Sequence, residues 1–295
     1  MNLDDVAVVV TTFIRPKELM TCVASIRKFY PDIKIMVADN GRPHAEQAKF
    51  MRNMHCEHLL LPFDSGLAMT RNKALDRLSG YPYIIMTEDD MEFTEESSIE
   101  KFKAVIEAHP EIGVVAGGLE LDCGTKNLFA NEIYVDKSKN MYKVKKIDSP
   151  EWHNTGGVRW YYADYVYNFH IMRNAPDIRW DAELKQCIEH FDFAVHMKIE
   201  TDWLVAATPD IVCKHHVADE SAEYVKHRRN FETWKTFFKK RGVRFLESDS
   251  EKTMRDFQTV EKLSYPEYIY RMIRTMNEAQ SGVDMIDRSL YRDIN

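Results

Sequence analysis

Short apolar runs alternate with amphipathic segments along the first part of the chain. The first run, at 6–10, is almost wholly β-branched, which is typical of a strand buried on both faces of a parallel sheet. Similar runs recur at 33–38, 59–61, 83–86 and 113–116, and segments with apolar residues at helical spacing separate them. This alternation of strand and helix predicts an α/β fold with a doubly wound, mostly parallel sheet and right-handed crossovers.

After Gly118 the pattern changes to that of a smaller antiparallel portion. Strand-like segments at 127–135 and 141–147 flank a lysine-rich turn, which predicts two antiparallel strands. Composition predicts helices in the C-terminal part of the chain. The predicted divisions are residues 1–118 and 119–220 as the two halves of one domain, and a helical C-terminal extension over 221–295.

Three adjacent carboxylates, Glu88, Asp89 and Asp90, follow the apolar run at 83–86. They repel one another, and they are costly at the end of a buried strand unless a cation or hydrogen bonds compensate them. Carboxylate oxygens suit Mg²⁺ or Mn²⁺, which commonly bridge to the phosphates of a substrate. We therefore predict a divalent cation held by Asp90, with Glu88 nearby, that presents a diphosphate. An acidic turn facing water is the alternative, and it would be favoured if the triplet stood alone.

Polar residues also end the first two predicted strands, as Thr11 with Thr12, and as Asp39. Because ligands bind outside the carboxyl ends of the strands in such sheets, we expect these residues and the acidic triplet to converge on one edge. The first strand is not followed by GxGxxG, and the chain has no GxxxxGK[ST] loop. Their absence argues against a dinucleotide-dependent oxidoreductase and against a P-loop NTPase.

Composition narrows the class of protein further. A chain of 295 residues with 44% hydrophobic content can bury a full core. The acidic N-terminus lacks the basic start of a signal peptide, and no apolar run approaches the ~20 residues of a membrane span. We therefore predict no integral membrane segment and a cytoplasmic location, with peripheral association with a membrane as an alternative. The five cysteines have no paired spacing, which favours reduced thiols over a disulfide framework or a zinc site.

A series of short motifs follows in order over about residues 5–218. In this order and spacing they resemble nucleotide-sugar glycosyltransferases of the GT-A fold. The resemblance is greatest to the β-1,4-N-acetylgalactosaminyltransferase-like branch and looser to the large inverting family of bacterial glycosyltransferases. Each motif is weak alone. The motifs are Val9-Val10-Thr11-Thr12-Phe13, Val37-Ala38-Asp39-Asn40, Gly66 through Arg71-Asn72, Glu88-Asp89-Asp90, Gly117-Gly118, Tyr167-Asn168-Phe169, Glu189-His190-Phe191-Asp192, and Asp210 to His215.

The resemblance implies a site for a UDP-sugar. It implies that Thr11 and Asp39 contact the uridine, with Thr12 beside them. Asn168 resembles a sugar-contacting position near the acceptor side, and Arg71 resembles the basic residue near the diphosphate or the acidic triplet.

The resemblance also implies a site for Mn²⁺ or Mg²⁺. Asp90 resembles the last residue of the metal-binding DxD motif, and His215 resembles the metal-ligating histidine near the end of the domain. Glu88 stands where aspartate is commoner, so it is expected to contact the sugar or ribose, and Asp89 is assigned to donor binding with it.

The stretch from Glu189 resembles the region of the catalytic base. Inverting transfer needs a base to deprotonate the acceptor hydroxyl as it attacks the anomeric carbon. Relatives often carry Glu-Asp here, whereas this chain has Glu189, His190 and then Asp192. Glu189 is ranked first and Asp192 second, with His190 as a third candidate because histidine often acts as a base. A structural helix N-terminus with acidic residues that compensate the dipole is the alternative.

Basic residues cluster in the second half although the net charge is −7. One cluster lies at 137–146, and the other lies on a predicted helix at 223–241 and its exit to Arg244. These clusters could be a solvated helix face, a surface for a membrane that holds a lipid-linked acceptor, or a site for a polyanion such as DNA.

Together these features predict a metal-dependent, inverting glycosyltransferase that moves a sugar from a UDP-sugar to a hydroxyl of a glycan or a lipid-linked saccharide. A phage-type enzyme that glycosylates a hydroxymethylated base of modified DNA is one alternative. A non-catalytic nucleotide- or sugar-binding module is another. A nucleotidyltransferase would typically carry a glycine-rich basic loop after the first strand, and residues 11–15 do not form one.

Overall fold

The computed structural model describes residues 2–42, 44–216, 222–228, 232–248 and 253–256. The helices are α1 (Pro16–Phe29), α2 (Ala45–Asn53), α3 (Leu67–Arg77), α4 (Ile99–Ala108), α5 (Glu189–Glu200), α6 (Ala222–Arg228) and α7 (Glu232–Arg241). The strands are β1 (Val6–Thr12), β2 (Lys34–Asp39), β3 (Glu57–Leu60), β4 (Tyr83–Glu88), β5 (Met91–Glu92), β6 (Ile112–Leu121), β7 (Lys126–Asn127), β8 (Ala130–Asp136), β9 (Met141–Lys146), β10 (His153–Thr155), β11 (Val158–Ala163), β12 (Tyr165–Val166), β13 (His170–Arg173), β14 (Leu204–His215), β15 (Phe245–Ser248) and β16 (Thr253–Asp256).

The chain divides into two compact units. The first comprises Met1–Ile133 and Lys146–Phe237, and the second comprises Tyr134–Lys145 and Phe238–Asn295. In the second unit β15 pairs in parallel with β9 and antiparallel with β16. These two strands lie in the segment that composition predicts to be helical. Residues 257–295 lie outside the described residues, and the predicted domain boundaries stay a prediction.

The first unit is built on one large mixed sheet flanked by helices, which confirms the predicted α/β fold. Its strands lie in the order β10-β11-β14-β6-β13-β4-β1-β2-β3. The short strands β5 and β7 pair with β14 and β6, respectively. Parallel pairings join β4, β1, β2 and β3, and another joins β14 to β6. The antiparallel strand β13 lies between β4 and β6, where it pairs with both.

The apolar run of β1 supplies both faces of the sheet. Val6, Val8 and Val10 belong to one core cluster, which includes the apolar faces of α1 and α4. Ala7 and Val9 belong to the other cluster, which includes residues of α3 and α5. A strand covered on both faces needs apolar residues at every position, which explains the unbroken run in the sequence.

The sheet brings three strand ends to one edge. Thr12 of β1 pairs in register with Asp39 of β2, and Thr11 pairs with Glu88 of β4. The end of β14 pairs with β5, the short strand that follows β4 in the chain, so that His215 lies opposite Met91. The convergence expected from the sequence is therefore present. Within the ranges described above, no helix combines the length and apolar character that crossing a membrane requires.

Gly117 of β6 provides a test of packing beside this edge. A Cβ atom at Gly117 would lie 2.6 Å from the backbone oxygen of Ile211 and 2.9 Å from the ring of Phe169. Because backbone cannot yield as a flexible side chain does, we expect Gly117→Ala to lower the free energy of unfolding by ~1–3 kcal/mol. Urea denaturation would measure the change. Gly80→Ala is the control, since nothing lies within 4 Å of its Cβ position, and equal stability of the two variants would contradict the packing argument.

Candidate active site

A small pocket opens at the shared strand edge of the first unit. It lies beside the ends of β1 and β4 and includes residues from the loops that follow them. Its lining residues are Thr11, Thr12, Phe13, Arg15, Asn40, Leu67, Glu88, Asp89, Gln186 and Tyr224. The lining combines hydroxyls, amides, a guanidinium, two carboxylates and aromatic rings, which suits a polar ligand with a flat ring system.

One group of polar and charged side chains, the Asp90 cluster, comprises Thr12, Arg15, Asp89, Asp90 and His215. Thr12 donates a hydrogen bond to Asp89 at 2.7 Å. Arg15 donates to both oxygens of Asp89, and its Nη1 donates to Asp90 Oδ2 at 2.9 Å. The guanidinium therefore supplies a cation for two of the three carboxylates at the end of this buried strand.

Burial sets the electrostatics of this cluster. It raises the pKa of Asp89 to about 7, although Arg15 and Thr12 oppose that effect. Burial also lowers the pKa of Arg15, but Asp89 and Asp90 more than offset this and leave that pKa raised. Arg15 is therefore a permanent cation, and its partners are the two aspartates.

His215 faces the same aspartate from the end of β14. Its Nε2 lies 3.7 Å from Asp90 Oδ2, and the nearby Asp90 carboxylate raises the pKa of the imidazole. Its buried Nδ1 has no hydrogen-bond partner among the residues that the structure describes.

These two side chains fit a divalent cation as a pair of ligands. Carboxylate oxygen and imidazole nitrogen are both suitable donors. Ligands at roughly 2.1 Å from one ion lie at most roughly 4.2 Å apart, and the observed 3.7 Å is within that span. No group of three His, Cys, Asp or Glu side chains in the described ranges could hold a metal ion. A cation here would therefore take its other ligands from substrate phosphates and water.

A second group, the Arg71 cluster, comprises Arg71, Glu88, Asn168, Glu189 and His190. Arg71 lies on α3, its side chain is completely buried, and its guanidinium lies 5.3 Å from the centre of the Trp180 ring. Its Nη2 donates to Glu88 Oε1 at 2.7 Å, and its Nη1 donates to Glu189 Oε1 at 3.4 Å. Asn168 also donates to Glu88 Oε1, at 3.1 Å. Two carboxylates thus share one buried cation.

The predicted base region forms the first turn of α5. The side chain of Glu189 is completely buried, whereas that of His190 is 27% exposed. Nε2 of His190 lies 3.2 Å from Glu189 Oε1, and its Nδ1 lies 2.7 Å from the amide nitrogen of Asn168. Asp192 is buried further along the same turn. The structure therefore brings Glu189 and His190 to Arg71 and Glu88, and it leaves His190 as the accessible one of the three candidates.

Two other predicted site residues lie at the edge in different settings. Thr11 lines the pocket, and its hydroxyl lies 3.5 Å from the carbonyl of Thr87. Asp39 is buried and accepts hydrogen bonds from the backbone of Gly41 and from Gln47, both at 2.7 Å. Its carboxylate therefore braces the loop after β2, while the neighbouring Asn40 faces the pocket.

Arg15 is absent from the residues that the sequence predicts for the site, among which only Thr11 and Thr12 come from residues 11–15. A usable signal was present, however. A basic residue three positions after a strand end, on an edge that collects carboxylates, is expected to pair with them. Gln186 and Tyr224, which also line the pocket, have no comparable signal in the sequence.

The predicted basic helix corresponds to parts of α6 and α7, and residues 229–231 between them lie outside the described residues. His227 of α6 packs edge-on against the rings of Phe13 and Phe63. Lys235 of α7 pairs with Glu232 at 2.9 Å. At least these two members of the basic cluster therefore contact other side chains instead of forming a bare cationic surface.

Comparison with known proteins relates this chain to glycosyltransferases. The family model described as glycosyl transferase family 2 matches residues 7–168, which is more than half of the chain. The β-1,4 N-acetylgalactosaminyltransferase 1 of Mus musculus is 32% identical over 194 residues, which are 64% of this chain and 35% of that protein. The β-1,4 N-acetylgalactosaminyltransferase 2 of the same species is 30% identical over 135 residues, or 46% of this chain and 24% of that protein. The chain thus spans about a third or less of the length of these relatives.

Solved structures share the fold. A structure of GalNAc-T7 with UDP, GalNAc and Mn²⁺ superposes with a TM-score of 0.56 at 12% identity, over 90% of this chain and 57% of that one. Residues 1–349 of S. aureus TarS superpose with a TM-score of 0.50 at 18% identity, over 78% of this chain and 63% of that one. At these identities the likeness concerns the GT-A fold alone.

Proposed function

Because this chain belongs to glycosyl transferase family 2, we propose that it transfers a sugar from a UDP-sugar to a hydroxyl of a glycan or lipid-linked saccharide. The observation that carries the proposal is the pairing of Asp90 with His215 beside the pocket at the strand edge. The relatives named as N-acetylgalactosaminyltransferases and the GalNAc-T7 complex with UDP and Mn²⁺ support the same class of donor.

In this proposal the pocket binds the nucleotide. Thr11, Thr12 and Asn40 offer hydrogen-bonding groups to the uridine, and Tyr224 offers an aromatic face. Asp39 acts indirectly, by holding the loop that carries Asn40. The diphosphate is recognised by its charge, for which the Arg15 guanidinium is a suitable partner.

Asp90 and His215 would hold Mn²⁺ or Mg²⁺. When bound, the ion would offset the charge that develops on the leaving diphosphate. Glu88 is excluded from this role in the proposal, because Arg71 and Asn168 already donate to it. Arg71 fixes Glu88 and Glu189 relative to each other and so positions the base region beside the donor.

Transfer with inversion needs one displacement and no covalent intermediate. The base removes the proton of the acceptor hydroxyl as that oxygen attacks the anomeric carbon. We assign this role to His190, because Glu189 is buried against Arg71 and Asp192 is buried in the helix. Glu189 then acts as the positioning residue for the imidazole.

The function is tested by a donor-hydrolysis and transfer screen over UDP-, GDP- and TDP-sugars, with and without Mn²⁺. We expect turnover with a UDP-sugar only, and stimulation by the ion. The acceptor arm compares a neutral oligosaccharide, a lipid-linked saccharide and hydroxymethylated duplex DNA. Transfer to the DNA alone would favour the DNA-modifying alternative, and binding of UDP without any turnover would favour the non-catalytic module.

Asp90→Ala should abolish metal-dependent donor binding while the protein stays folded. The substitution removes the oxygen that faces both His215 and Arg15, so a divalent cation keeps only a single protein ligand. Calorimetry with UDP plus Mn²⁺ should lose most of its heat. Glu92→Ala is the control on the adjoining strand β5, since Glu92 pairs with His216. Unchanged Mn²⁺-dependent affinity in folded Asp90→Ala would refute the assignment of Asp90 as a ligand.

A further inference from the structure

Arg15 lies where the acidic triplet would otherwise meet a metal ion. All three nitrogens of its guanidinium donate to Asp89 or Asp90, and the side chain is only 11% exposed. A fork-shaped cation held by two carboxylates offsets part of their negative charge without a bound metal.

A single oxygen atom of Asp90 faces both the Arg15 guanidinium and the proposed site of the divalent cation. Asp90 Oδ2 accepts from Arg15 Nη1 at 2.9 Å, and the same atom lies 3.7 Å from His215 Nε2. A divalent cation on Asp90 and His215 would have to share that oxygen with a guanidinium. Two like charges at such a distance repel strongly in a buried site. The metal and the Arg15–Asp90 contact therefore oppose each other.

Arg15 is also placed to contact a phosphate group of a bound nucleotide, because it lines the pocket with Thr11, Asn40 and Gln186. Its guanidinium carbon lies 4.6 Å from the centre of the Tyr224 ring, so the side chain is flanked on one face and held near the pocket. Guanidinium groups bind phosphate oxygens through two parallel hydrogen bonds. Asp89, whose two oxygens both contact Arg15, provides an anchor that survives a change of partner at Nη1.

We propose that Arg15 couples metal binding to nucleotide binding by exchanging partners. Without nucleotide, Arg15 occupies Asp90 and keeps the affinity for a divalent cation low. A nucleoside diphosphate draws Nη1 from Asp90 onto a phosphate oxygen, which releases Asp90 Oδ2 for the ion. Arg15 is then both a diphosphate-binding residue and the group that makes cation binding depend on the substrate. The identity of the nucleotide rests on the proposed function, whereas the effect of Arg15 on the bare metal site does not.

The test measures the binding of Mn²⁺ alone, of UDP alone and of the two together. Electron paramagnetic resonance of free Mn²⁺ and calorimetry give the affinities. In the natural protein we expect UDP to raise the affinity for Mn²⁺ about 10-fold, which is within the usual range of coupling between two ligands. In Arg15→Ala we expect Mn²⁺ alone to bind about 10-fold tighter, because its competitor is gone. UDP alone should bind roughly 10- to 100-fold more weakly, which is the value of hydrogen bonds between charged groups. The two affinities thus change in opposite directions.

Arg15→Lys covers the case in which Arg15→Ala does not fold. A lysine keeps the charge but cannot contact both aspartates as a fork. The affinity for Mn²⁺ alone should therefore rise by a smaller factor than in Arg15→Ala. Arg77→Ala, which removes an exposed arginine from its pair with Glu57, is the control and should change neither affinity. Thermal melts establish that each variant is folded.

The outcomes separate the two proposals. If Mn²⁺ alone binds equally well or more weakly in folded Arg15 variants, the exchange of partners is wrong even when UDP binds. If Mn²⁺ tightens in those variants but the natural protein binds no UDP, the competition at Asp90 stands and the proposed nucleotide donor fails. If Mn²⁺ affinity in the natural protein does not respond to UDP that does bind, the coupling is overturned.

Discussion

We expect His190→Gln to lower the rate of sugar transfer by ~10²–10⁴ while the affinity for the UDP-sugar stays unchanged. That factor is the usual contribution of general acid–base catalysis. His190 contacts the acceptor side of the site in our proposal, so its loss removes the proton acceptor and leaves donor binding intact. Single-turnover transfer rates and calorimetric donor affinities, measured on the same protein, would check the two statements separately.

The hydrogen bonds around His190 favour one tautomer of the imidazole. Arg71 Nη1 lies 3.4 Å from Nδ1, and Asn168 Nδ2 lies closer to Nδ1 than to Nε2. Two donors face Nδ1, so this nitrogen is the acceptor, and the ring proton lies on Nε2 towards Glu189. In our proposal Glu189 fixes this tautomer and stabilises the imidazolium that forms. For Nδ1 to take the proton, the acceptor hydroxyl must first replace Asn168 as its hydrogen-bond partner.

Two further variants distinguish the candidates for the base. Glu189→Gln removes a negative charge beside the imidazole, so the pKa of His190 should fall and the acid limb of the rate profile should move to lower pH. Asp192→Asn is the matched control on the same turn of α5. Full activity in His190→Gln, with loss of activity in Glu189→Gln or in Asp192→Asn, would move the role of base to the residue whose variant is inactive.

Arg71→Met should have the largest effect on stability. It replaces a completely buried guanidinium with an apolar side chain of similar length and leaves Glu88 and Glu189 without their shared cation. Removing one partner of a buried ion pair commonly costs about 3–5 kcal/mol. We expect the free energy of unfolding, measured with urea, to fall by that amount, and the enzyme to lose activity because the base region is no longer fixed.

Arg77→Met on the same helix, α3, is the matched control. Arg77 is exposed and pairs with Glu57 at the surface, and such pairs contribute little to stability. Its substitution should leave the free energy of unfolding nearly unchanged. Similar losses in Arg71→Met and Arg77→Met would show that the buried cation is not what holds the two carboxylates.

The parts that the sequence predicted well follow from patterns between neighbours along the chain. The unbroken apolar run of β1 and the alternation of strand and helix were sufficient for the fold class, which the structure confirms. The meeting of Thr12 with Asp39, and of Thr11 with Glu88, follows from parallel pairing. The resemblance to glycosyltransferases is confirmed at the level of the family. The roles of the individual site residues stay predictions.

The parts that could not be predicted depend on contacts between distant segments. The acidic triplet looked like one group, yet Glu88 faces Arg71 while Asp89 and Asp90 face Arg15. Adjacent side chains diverge at the end of a strand, and sequence alone does not show which neighbour each one meets. The ion pair between Arg71 of α3 and Glu189 of α5 likewise joins segments that are far apart in the chain. The sequence ranks Glu189 first as the base, whereas the exposed fractions of the side chains favour His190.

The position of β13 has a consequence for how the protein is made. A ribosome releases β4 and β6 well before it releases β13, the strand that joins them, and β14 follows later still. Until then both early strands carry unpaired edges, which invite pairing with other chains. We therefore expect the nascent sheet to close only after synthesis has passed His215. The segment that carries the family signature, 7–168, would on this reasoning aggregate if produced alone.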